Sequence, residues 1–141
     1  SMLKNLNSSE RAGYFVFRTK GCIACHDGAD MRDNSFHNVG VGTDKATPDV
    51  GRMKVTGAAT DWASFKTPTL RNVADTAPYM HDGSLTTLRD VVDFYDKGGI
   101  ANRNLDSNVV PLHLEEWQKQ DLVSFLSRMR TPQAMKNVKR P

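Results

Sequence analysis

Residues 20–30 of this 141-residue chain read KGCIACHDGAD, and they contain its two cysteines, Cys22 and Cys25. His26 follows the second cysteine directly. Thiols at this spacing serve four purposes in proteins: a disulfide, a zinc site, a redox dithiol, or the covalent attachment of a haem. The choice among them decides the fold, because a haem would supply an apolar body for the chain to wrap.

Three of these uses fit the rest of the sequence poorly. A disulfide between Cys22 and Cys25 would close a very short loop, which constrains the unfolded chain little. A zinc site needs more ligands, in spacings such as two histidines three to five residues apart. The remaining histidines stand alone in the sequence: His37, His81 and His113. A redox dithiol would lie between a strand and a helix, whereas the segment before Cys22 has a helical pattern.

Covalent haem attachment uses the whole of CIACH. Each thiol adds to one haem vinyl group, and the spacing of Cys22 and Cys25 suits the two vinyl groups. The adjacent His26 then ligates the iron as the proximal ligand. The sequence therefore predicts a c-type haem held by Cys22, Cys25 and His26, with a sixth ligand still to be found for the iron.

The composition is that of an ordinary globular protein. Charged residues make up 25% and hydrophobic residues 38% of the chain, and the net charge is +3, values typical of a soluble domain. No basic stripe is interleaved with aromatic residues, so nucleic acid is not an expected partner. No apolar run reaches the roughly 18 to 20 residues that a membrane span needs.

The chain divides into three parts. We interpret residues 1–9 as a lead-in that begins with a cloning remnant, Ser1-Met2, so that a signal sequence or a preceding domain could have been removed. Residues 10–130 form the expected haem domain, and residues 131–141 form a basic, solvated tail.

Three helices are predicted within the domain. Asn7-Ser8-Ser9-Glu10 fits a capping box for a helix that ends at Gly21. Residues 84–99 and 111–129 carry apolar side chains at helical spacing. Residues 27–83 are rich in loop-forming residues and predict long connections. The pattern therefore indicates an all-α domain of three to five helices with essentially no strand, whose long loops wrap one haem.

Four stretches make a family resemblance: CIACHDG, FHNVG, FKTPTLRNVADTAPYMHDGSLTTLRDVVDFYDKGG and DLVSFL. Over residues 10–130 the chain resembles the C-terminal, electron-transfer haem domain of the bacterial di-haem cytochrome c peroxidases, a family that includes the MauG-like enzymes. The resemblance implies a cytochrome c-like fold and haem c. Each of the two domains in this family carries its own CxxCH, whereas this sequence has one such motif.

The resemblance also implies a function. The domain would take electrons from a donor protein, a small cytochrome or a cupredoxin, and relay them to a peroxide-reacting haem in a second domain outside this chain. A MauG-like member would instead oxidise a residue of a protein substrate. Haem c attachment implies export to the periplasm. The catalytic residues stay unknown, and it is open whether this chain is catalytic alone.

Two alternatives remain open from the sequence. The chain could be a free-standing mono-haem electron carrier, or a small mono-haem peroxidase that uses its own iron. An exposed apolar face, left where a second domain would dock, could also support a homodimer.

The sixth iron ligand has two candidates. Met80 lies at a distance from the motif that is typical of small electron-transfer cytochromes, whose thioether raises the potential. The resemblance implies Tyr95 instead, because the family's ligand position falls there and MauG-like members carry tyrosine at it. We prefer Tyr95 and keep Met80 as the alternative. Tyr95 also lies on the apolar stripe of its helix, where a core tyrosine with a locally bonded hydroxyl is the competing interpretation.

Haem propionates need cations or N–H donors when they are partly buried. The resemblance implies Arg71 for this role, and Lys66 and Arg52 are weaker candidates. Phe36 and Phe65 are predicted to pack against the haem.

A calcium ion between the two domains is also implied by the resemblance. Its ligands would be backbone oxygens near Thr76 and Pro78, with another ligand from the second domain. His81 and Asp82 are expected to brace the loop near the haem, and His37 to form a hydrogen bond near its proximal side.

Overall fold

The computed structural model describes residues 2–130 of the chain. Its elements are the helices α1 (Ser8–Thr19), α2 (Met53–Thr56), α3 (Leu88–Asp96) and α4 (Glu116–Arg128), and the strands β1 (Phe36–His37) and β2 (Phe65–Lys66). Single turns of 3₁₀ helix span Met2–Asn5, Cys22–Ala24, Ala59–Asp61 and Val73–Asp75. The predicted basic tail at 131–141 lies outside the described residues.

The first helix is the one that the sequence predicts. The Asn7 side chain accepts a hydrogen bond from the backbone N–H of Glu10 at 2.8 Å, and the Glu10 carboxylate accepts one from the N–H of Asn7 at 2.9 Å. Gly21 follows the last turn at a φ of 88°, a conformation that favours glycine. The predicted capping box and stop of α1 are therefore confirmed.

Helices α3 and α4 begin later than the apolar pattern predicts. Thr87 and Asp90 form the capping box of α3, and Glu115 and Gln118 form that of α4. Because each cap satisfies backbone N–H groups that open a helix, the helix begins there and the residues before it lie outside it. The apolar spacing continues across those residues, so periodicity alone misplaced both starts.

A small sheet corrects the expectation of a chain without strands. Strands β1 and β2 pair antiparallel, with Phe36 opposite Lys66 and His37 opposite Phe65. Each strand has two residues, which is too short for an alternating pattern to be visible in the sequence. The fold is therefore helix-rich with a two-stranded sheet in its long loops.

The core forms where α1 crosses α4. Phe125 is fully buried, and its ring centroid lies 5.3 Å from that of Phe17 and 5.4 Å from that of Tyr14. The crossing is close because α1 has a glycine there: a Cβ built on Gly13 would lie 1.9 Å from the carbonyl oxygen of Asp121. The side chain of Ser9 also donates a hydrogen bond to Asp121.

Asn38, in the FHNVG stretch, joins three of the long loops. Its side chain is 2% exposed. The Nδ2 group donates to the carbonyl of Trp62 and to Oδ1 of Asn102, both at 3.0 Å, and Oδ1 accepts from the N–H of Gly40 at 2.9 Å. A buried amide whose N–H and C=O groups are all hydrogen-bonded fixes the positions of the loops that it joins. None of the helices within residues 2–130 is long and apolar enough to cross a membrane.

Replacing Gly13 with alanine should destabilise the protein. Helix propensity would favour alanine by about 1 kcal/mol, but forcing a methyl group into a packed crossing costs about 3 kcal/mol. We expect a net loss of about 2 kcal/mol in the free energy of unfolding, measured by denaturant titration. The control is Phe15→Ala on the same helix, whose side chain is 68% exposed. Equal stability of the Gly13→Ala protein and the wild type would contradict the close crossing.

Candidate functional site

A cavity of about 440 Å³ lies between the core helices and the long loops. Its wall is mainly apolar and includes Phe17 of α1, Val41 and Val73 of the loops, Leu88 of α3, and Leu122 and Leu126 of α4. Pockets of this kind take an apolar ligand held by a few well-placed polar groups. The polar groups at this wall therefore indicate which ligand it takes.

The CIACH turn brings three reactive side chains to the wall. Cys22, Cys25 and His26 all line the cavity, and both thiols are free. The chain turns sharply because Gly21 has a positive φ and the N–H of His26 donates to the carbonyl of Cys22 at 3.0 Å. One short turn after α1 thus presents two thiols and an imidazole to the same space.

The imidazole of His26 is oriented for ligation. Its Nδ1 donates to the carbonyl of Met31 at 3.0 Å, which leaves Nε2 as the atom with a free lone pair. Burial lowers the pKa of His26, while hydrogen bonds to the carbonyls of Met31 and Pro68 oppose that shift. The ring is therefore neutral at neutral pH, which is the form that binds a metal.

The two thiols are not poised for redox chemistry. Burial raises the pKa of Cys22 to about 11. Burial and then the carboxylates of Asp33 and Asp106 raise the pKa of Cys25. A reactive dithiol needs a thiolate, which a lowered pKa supplies. The raised pKa values of both thiols therefore argue against the redox-dithiol interpretation.

Both candidates for the sixth ligand line the same cavity. Tyr95 reaches it from α3, and Met80 reaches it from the loop in which Tyr79 and Leu85 pair. Among the residues that the structure describes, the Tyr95 hydroxyl has no hydrogen-bond partner. The hydroxyl of Tyr79, in contrast, donates to the carbonyl of Val73 at 3.0 Å. The locally bonded hydroxyl expected of a core tyrosine is therefore found at Tyr79.

The phenol of Tyr95 is shielded from solvent. Burial raises the pKa of its phenol well above the ordinary value, and the nearby thiols of Cys22 and Cys25 raise it further when they ionise. Met80 adopts a φ of 70°, which is uncommon for a side chain of this size. Its carbonyl accepts from the N–H of Gly83 at 3.2 Å, so a hydrogen-bonded turn holds it at the wall.

The chain is similar to proteins of one family. It is 36% identical to the methylamine utilization protein MauG of Methylorubrum extorquens over 132 residues, which are 92% of this chain and 36% of MauG. It is 35% identical to the cytochrome-c peroxidase IdrP2 of Denitromonas iodatirespirans, over 88% of this chain and 40% of that protein. The solved structure of a MauG-like protein associated with microbial copper homeostasis superposes with a TM-score of 0.84 and 29% identity, covering 91% of this chain and 48% of that one. No family model matches the chain.

Over most of its length the chain is homologous to MauG and the bacterial cytochrome c peroxidases. It spans about two fifths of the length of these two curated relatives. The family implies haem c, and the site fits that cofactor. The cavity is apolar, Cys22 and Cys25 are unpaired on one turn, and His26 has its Nδ1 bound to the Met31 carbonyl. These residues would form the thioether bonds and the proximal ligand.

The two phenylalanines predicted to pack against the haem, Phe65 and Phe36, lie in different places. Phe65 lines the cavity and stacks on His81, with ring centroids 3.6 Å apart and planes at 8°. Phe36 is absent from the cavity wall; it is 39% exposed, and the guanidinium of Arg52 lies 4.0 Å from its ring centroid. Successive side chains of a strand point to opposite faces, and in β1 it is His37 that faces the cavity.

Of the three cations predicted to meet the propionates, Lys66 lines the cavity, and Arg71 and Arg52 do not. The Nε of Arg71 donates to the carbonyl of Ala29 at 2.8 Å, so this side chain holds the loop after the CIACH turn. Lys20, at the end of α1, also lines the cavity, although nothing in the sequence singled it out as a cation for the propionates.

Thr76 and Pro78, the residues predicted to bind calcium, lie exposed at the rim of the cavity. The hydroxyl of Thr76 donates to the carbonyl of Val73 at 3.0 Å. Asp82 binds the Nζ of Lys45 at 2.9 Å, which ties the loop that holds Met80 to the preceding glycine-rich loop. Calcium at Thr76 and Pro78 stays a prediction.

His37 forms a cluster that the sequence did not reveal. Its Nδ1 lies 2.6 Å from a carboxylate oxygen of Asp106, and its Nε2 lies 2.7 Å from one of Asp33. Burial opposes protonation of the ring, but the hydrogen bonds to Asp106 and Asp33 raise the pKa of His37 overall. With carboxylate oxygens at hydrogen-bond distance from both nitrogens, these contacts favour an imidazolium that donates from both. His37 lies within 4.8 Å of Cys25 and Asp33, but neither nitrogen is left to ligate a metal.

The two carboxylates complete this cluster. Burial opposes ionisation of Asp33, but hydrogen bonds from the N–H of Ser35 and from His37 lower its pKa to about 2. The same kinds of contact, from Asn108 and His37, lower the pKa of Asp106. The cluster therefore clamps the loop after the CIACH turn to the loop that follows α3.

Replacing His37 with glutamine should cost about 2 kcal/mol of stability, because hydrogen bonds to a charged group are lost. The pKa of His37 is raised on folding, so its contribution is complete below its unfolded pKa of about 6.5 and fades as the pH rises through the folded value. The two carboxylates have lowered pKa values, so their contribution to stability is present above about pH 4.

The measurement is the free energy of unfolding of the haem-loaded protein at about pH 5.5 and about pH 9, the two sides of the expected transition. We expect a larger difference between wild type and His37→Gln at the lower pH. His113→Asn, at an exposed position, is the control for loss of a histidine. A difference that grows with pH would show that His37 is not held as an imidazolium.

Proposed function

We propose that this chain is the electron-transfer haem domain of a cytochrome c peroxidase or MauG-like oxidoreductase. One observation supports this proposal most directly: the side chains of His26 and Tyr95 line the same apolar cavity. The relatives that the chain matches, MauG and a cytochrome-c peroxidase, are about two and a half times its aligned length, which supports a second domain as the site of the peroxide reaction.

The residues of the CIACH turn would hold the cofactor. Cys22 and Cys25 would each form one thioether bond, and His26 would ligate through Nε2 while the Met31 carbonyl keeps its Nδ1 protonated. Such a hydrogen bond fixes the ring and raises its basicity as a ligand. When bound, the haem supplies reversible one-electron chemistry.

Tyr95 would close the sixth position. Its phenol has no other hydrogen-bond partner in the described part of the chain. Burial raises the pKa of Tyr95, so its proton leaves only where a cation compensates the phenolate. A phenolate favours the ferric state more than a thioether does, so Tyr95 should give a lower potential than Met80 would.

Ligation of the iron by both His26 and Tyr95 would favour electron relay over peroxide chemistry in this domain. A peroxide-reacting iron needs an open coordination position and an acid–base group close by. With His26 and Tyr95 as ligands, that position is filled by the chain itself. Electrons would enter from a small donor protein in the periplasm, a cytochrome or a cupredoxin, and leave for a second haem outside this chain. A calcium ion near Thr76 and Pro78 would lie where the two domains meet.

Replacing Tyr95 with phenylalanine should convert the ferric haem from predominantly low-spin to predominantly high-spin, because phenylalanine has no ligand atom. Low-temperature electron paramagnetic resonance of the haem-loaded protein measures this change. Tyr79→Phe is the matched control, since Tyr79 also lines the cavity but its hydroxyl is bound to Val73. A low-spin spectrum in Tyr95→Phe that is lost in Met80→Ala would assign the ligand to Met80 instead.

The relay role predicts a slow reaction with hydrogen peroxide. The reduced, haem-loaded chain should be oxidised slowly by peroxide and rapidly by an oxidised small cytochrome, both followed by stopped-flow absorbance. Tyr95→Phe should speed the reaction with peroxide because it opens the iron. Rapid, repeated peroxide turnover by the wild-type chain alone would contradict the relay and favour a mono-haem peroxidase.

A further inference from the structure

The last turn of α3, which carries Tyr95, is tied to α4 by a partly buried ion-pair group. The Nζ of Lys119 lies 2.7 Å from a carboxylate oxygen of Asp96 and 2.9 Å from one of Asp93. The side chains of Lys119 and Asp96 are 16% and 17% exposed, and that of Asp93 is 44% exposed. Solvent and salt therefore screen the contact between Lys119 and Asp96 less than they screen a fully exposed pair.

Asp96 is held at two further points. Its Oδ1 accepts a hydrogen bond from the N–H of Leu114 at 2.8 Å, and its carbonyl accepts one from the N–H of Leu112 at 2.9 Å. Leu112 lines the same cavity as Tyr95. The residue next to Tyr95 is thus fixed both to α4 and to the segment that leads into α4.

Helix geometry places this group behind Tyr95. Asp93 and Asp96 are three residues apart and share one face of α3. Tyr95 lies roughly 130° around the helix from the midpoint of that face. Contacts on that face therefore set the rotation of α3 that aims the phenol into the cavity.

We infer that Lys119 is a positioning residue for Tyr95. Its ammonium group, held between Asp93 and Asp96, sets the rotation of the last turn of α3 and so brings the phenol to the sixth position of the iron. This inference rests on the proposed role of Tyr95 as the ligand. Lys119 does not line the cavity, so it acts through the helix.

Removing Lys119 would affect the two carboxylates differently. Asp93 also has the Nε of Arg89 at 3.0 Å, so it keeps a cation. Asp96 loses the ammonium contact at 2.7 Å, and this residue is the last of α3 and directly follows Tyr95. The structural change is therefore concentrated beside the ligand.

The test is the spin state of the haem-loaded Lys119→Met protein. We expect a partial loss of the low-spin signal, a matching gain of high-spin signal, and binding of azide that the wild type does not show. Lys119→Arg should restore the low-spin state, because it keeps the charge and the donors. Asp96→Asn, which weakens the same contact from the other side, should shift the spin state in the same direction.

Glu116→Gln is the matched control. The pair formed by Arg89 and Glu116, at 2.6 Å, joins the same two helices at a more exposed place, so its loss should leave the spin state unchanged. Spectra are recorded well below the unfolding temperature of each variant, so a loss of stability alone does not produce high-spin iron.

Two results would overturn the inference, and they can be told apart. If Lys119→Met and Asp96→Asn keep the wild-type spin state while Tyr95→Phe is high-spin, the inference fails and the role of Tyr95 stands. If Tyr95→Phe itself stays low-spin, the proposed ligand fails and the inference fails with it.

Discussion

The close crossing of α1 and α4 is the contact on which the rest of the molecule depends. Gly13 lets the backbones approach, and Phe17 and Phe125 fill the space beside the crossing. The same helices also supply part of the cavity wall, through Phe17 on one side and Leu122 and Leu126 on the other. Because α1 runs directly into the CIACH turn, the crossing also fixes where the two thiols and His26 enter the cavity.

The side chains that would hold the haem are neutral in the absence of a ligand. The thiols of Cys22 and Cys25 and the phenol of Tyr95 all have raised pKa values, and the pKa of His26 is lowered. Burial is the first cause in each case, since it penalises the charged form. Charged groups around the cavity hold elements together: the His37 cluster, which reaches the wall through His37 and Asp106, clamps two loops, and the Lys119 group behind the wall joins α3 to α4.

Local sequence signals predicted the parts of the fold that depend on local contacts. Each of these features depends only on residues close to it in the sequence. They are the capping box at Asn7 and Glu10, the stop at Gly21 and the three reactive residues of CIACH. Tyr95 was singled out through the family resemblance, and the structure brings it to the cavity.

The remaining features depend on contacts between distant parts of the chain. His37 and Asp106 are 69 residues apart, and Asn38 and Asn102 are 64 apart, so no spacing rule connects them. Phe36 was predicted to pack against the haem, but its ring lies outside the cavity wall and is 39% exposed. Arg71 was implied for the propionates by the family resemblance; its Nε binds the Ala29 carbonyl, and its role at the propionates stays a prediction. Side-chain direction in long loops is a tertiary property, and composition does not reveal it.

The proposed function depends on a covalent haem held in this cavity by Cys22, Cys25 and His26. The most direct test is the intact mass of the denatured protein, purified from cells that attach haem to exported cytochromes, followed by mass spectrometry of its peptides. We expect one haem to stay bound after denaturation, to map to the peptide that contains CIACH, and to be lost when Cys22 and Cys25 are both replaced by serine. A protein that carries no haem after denaturation, with both thiols free to react with an alkylating reagent, would contradict it.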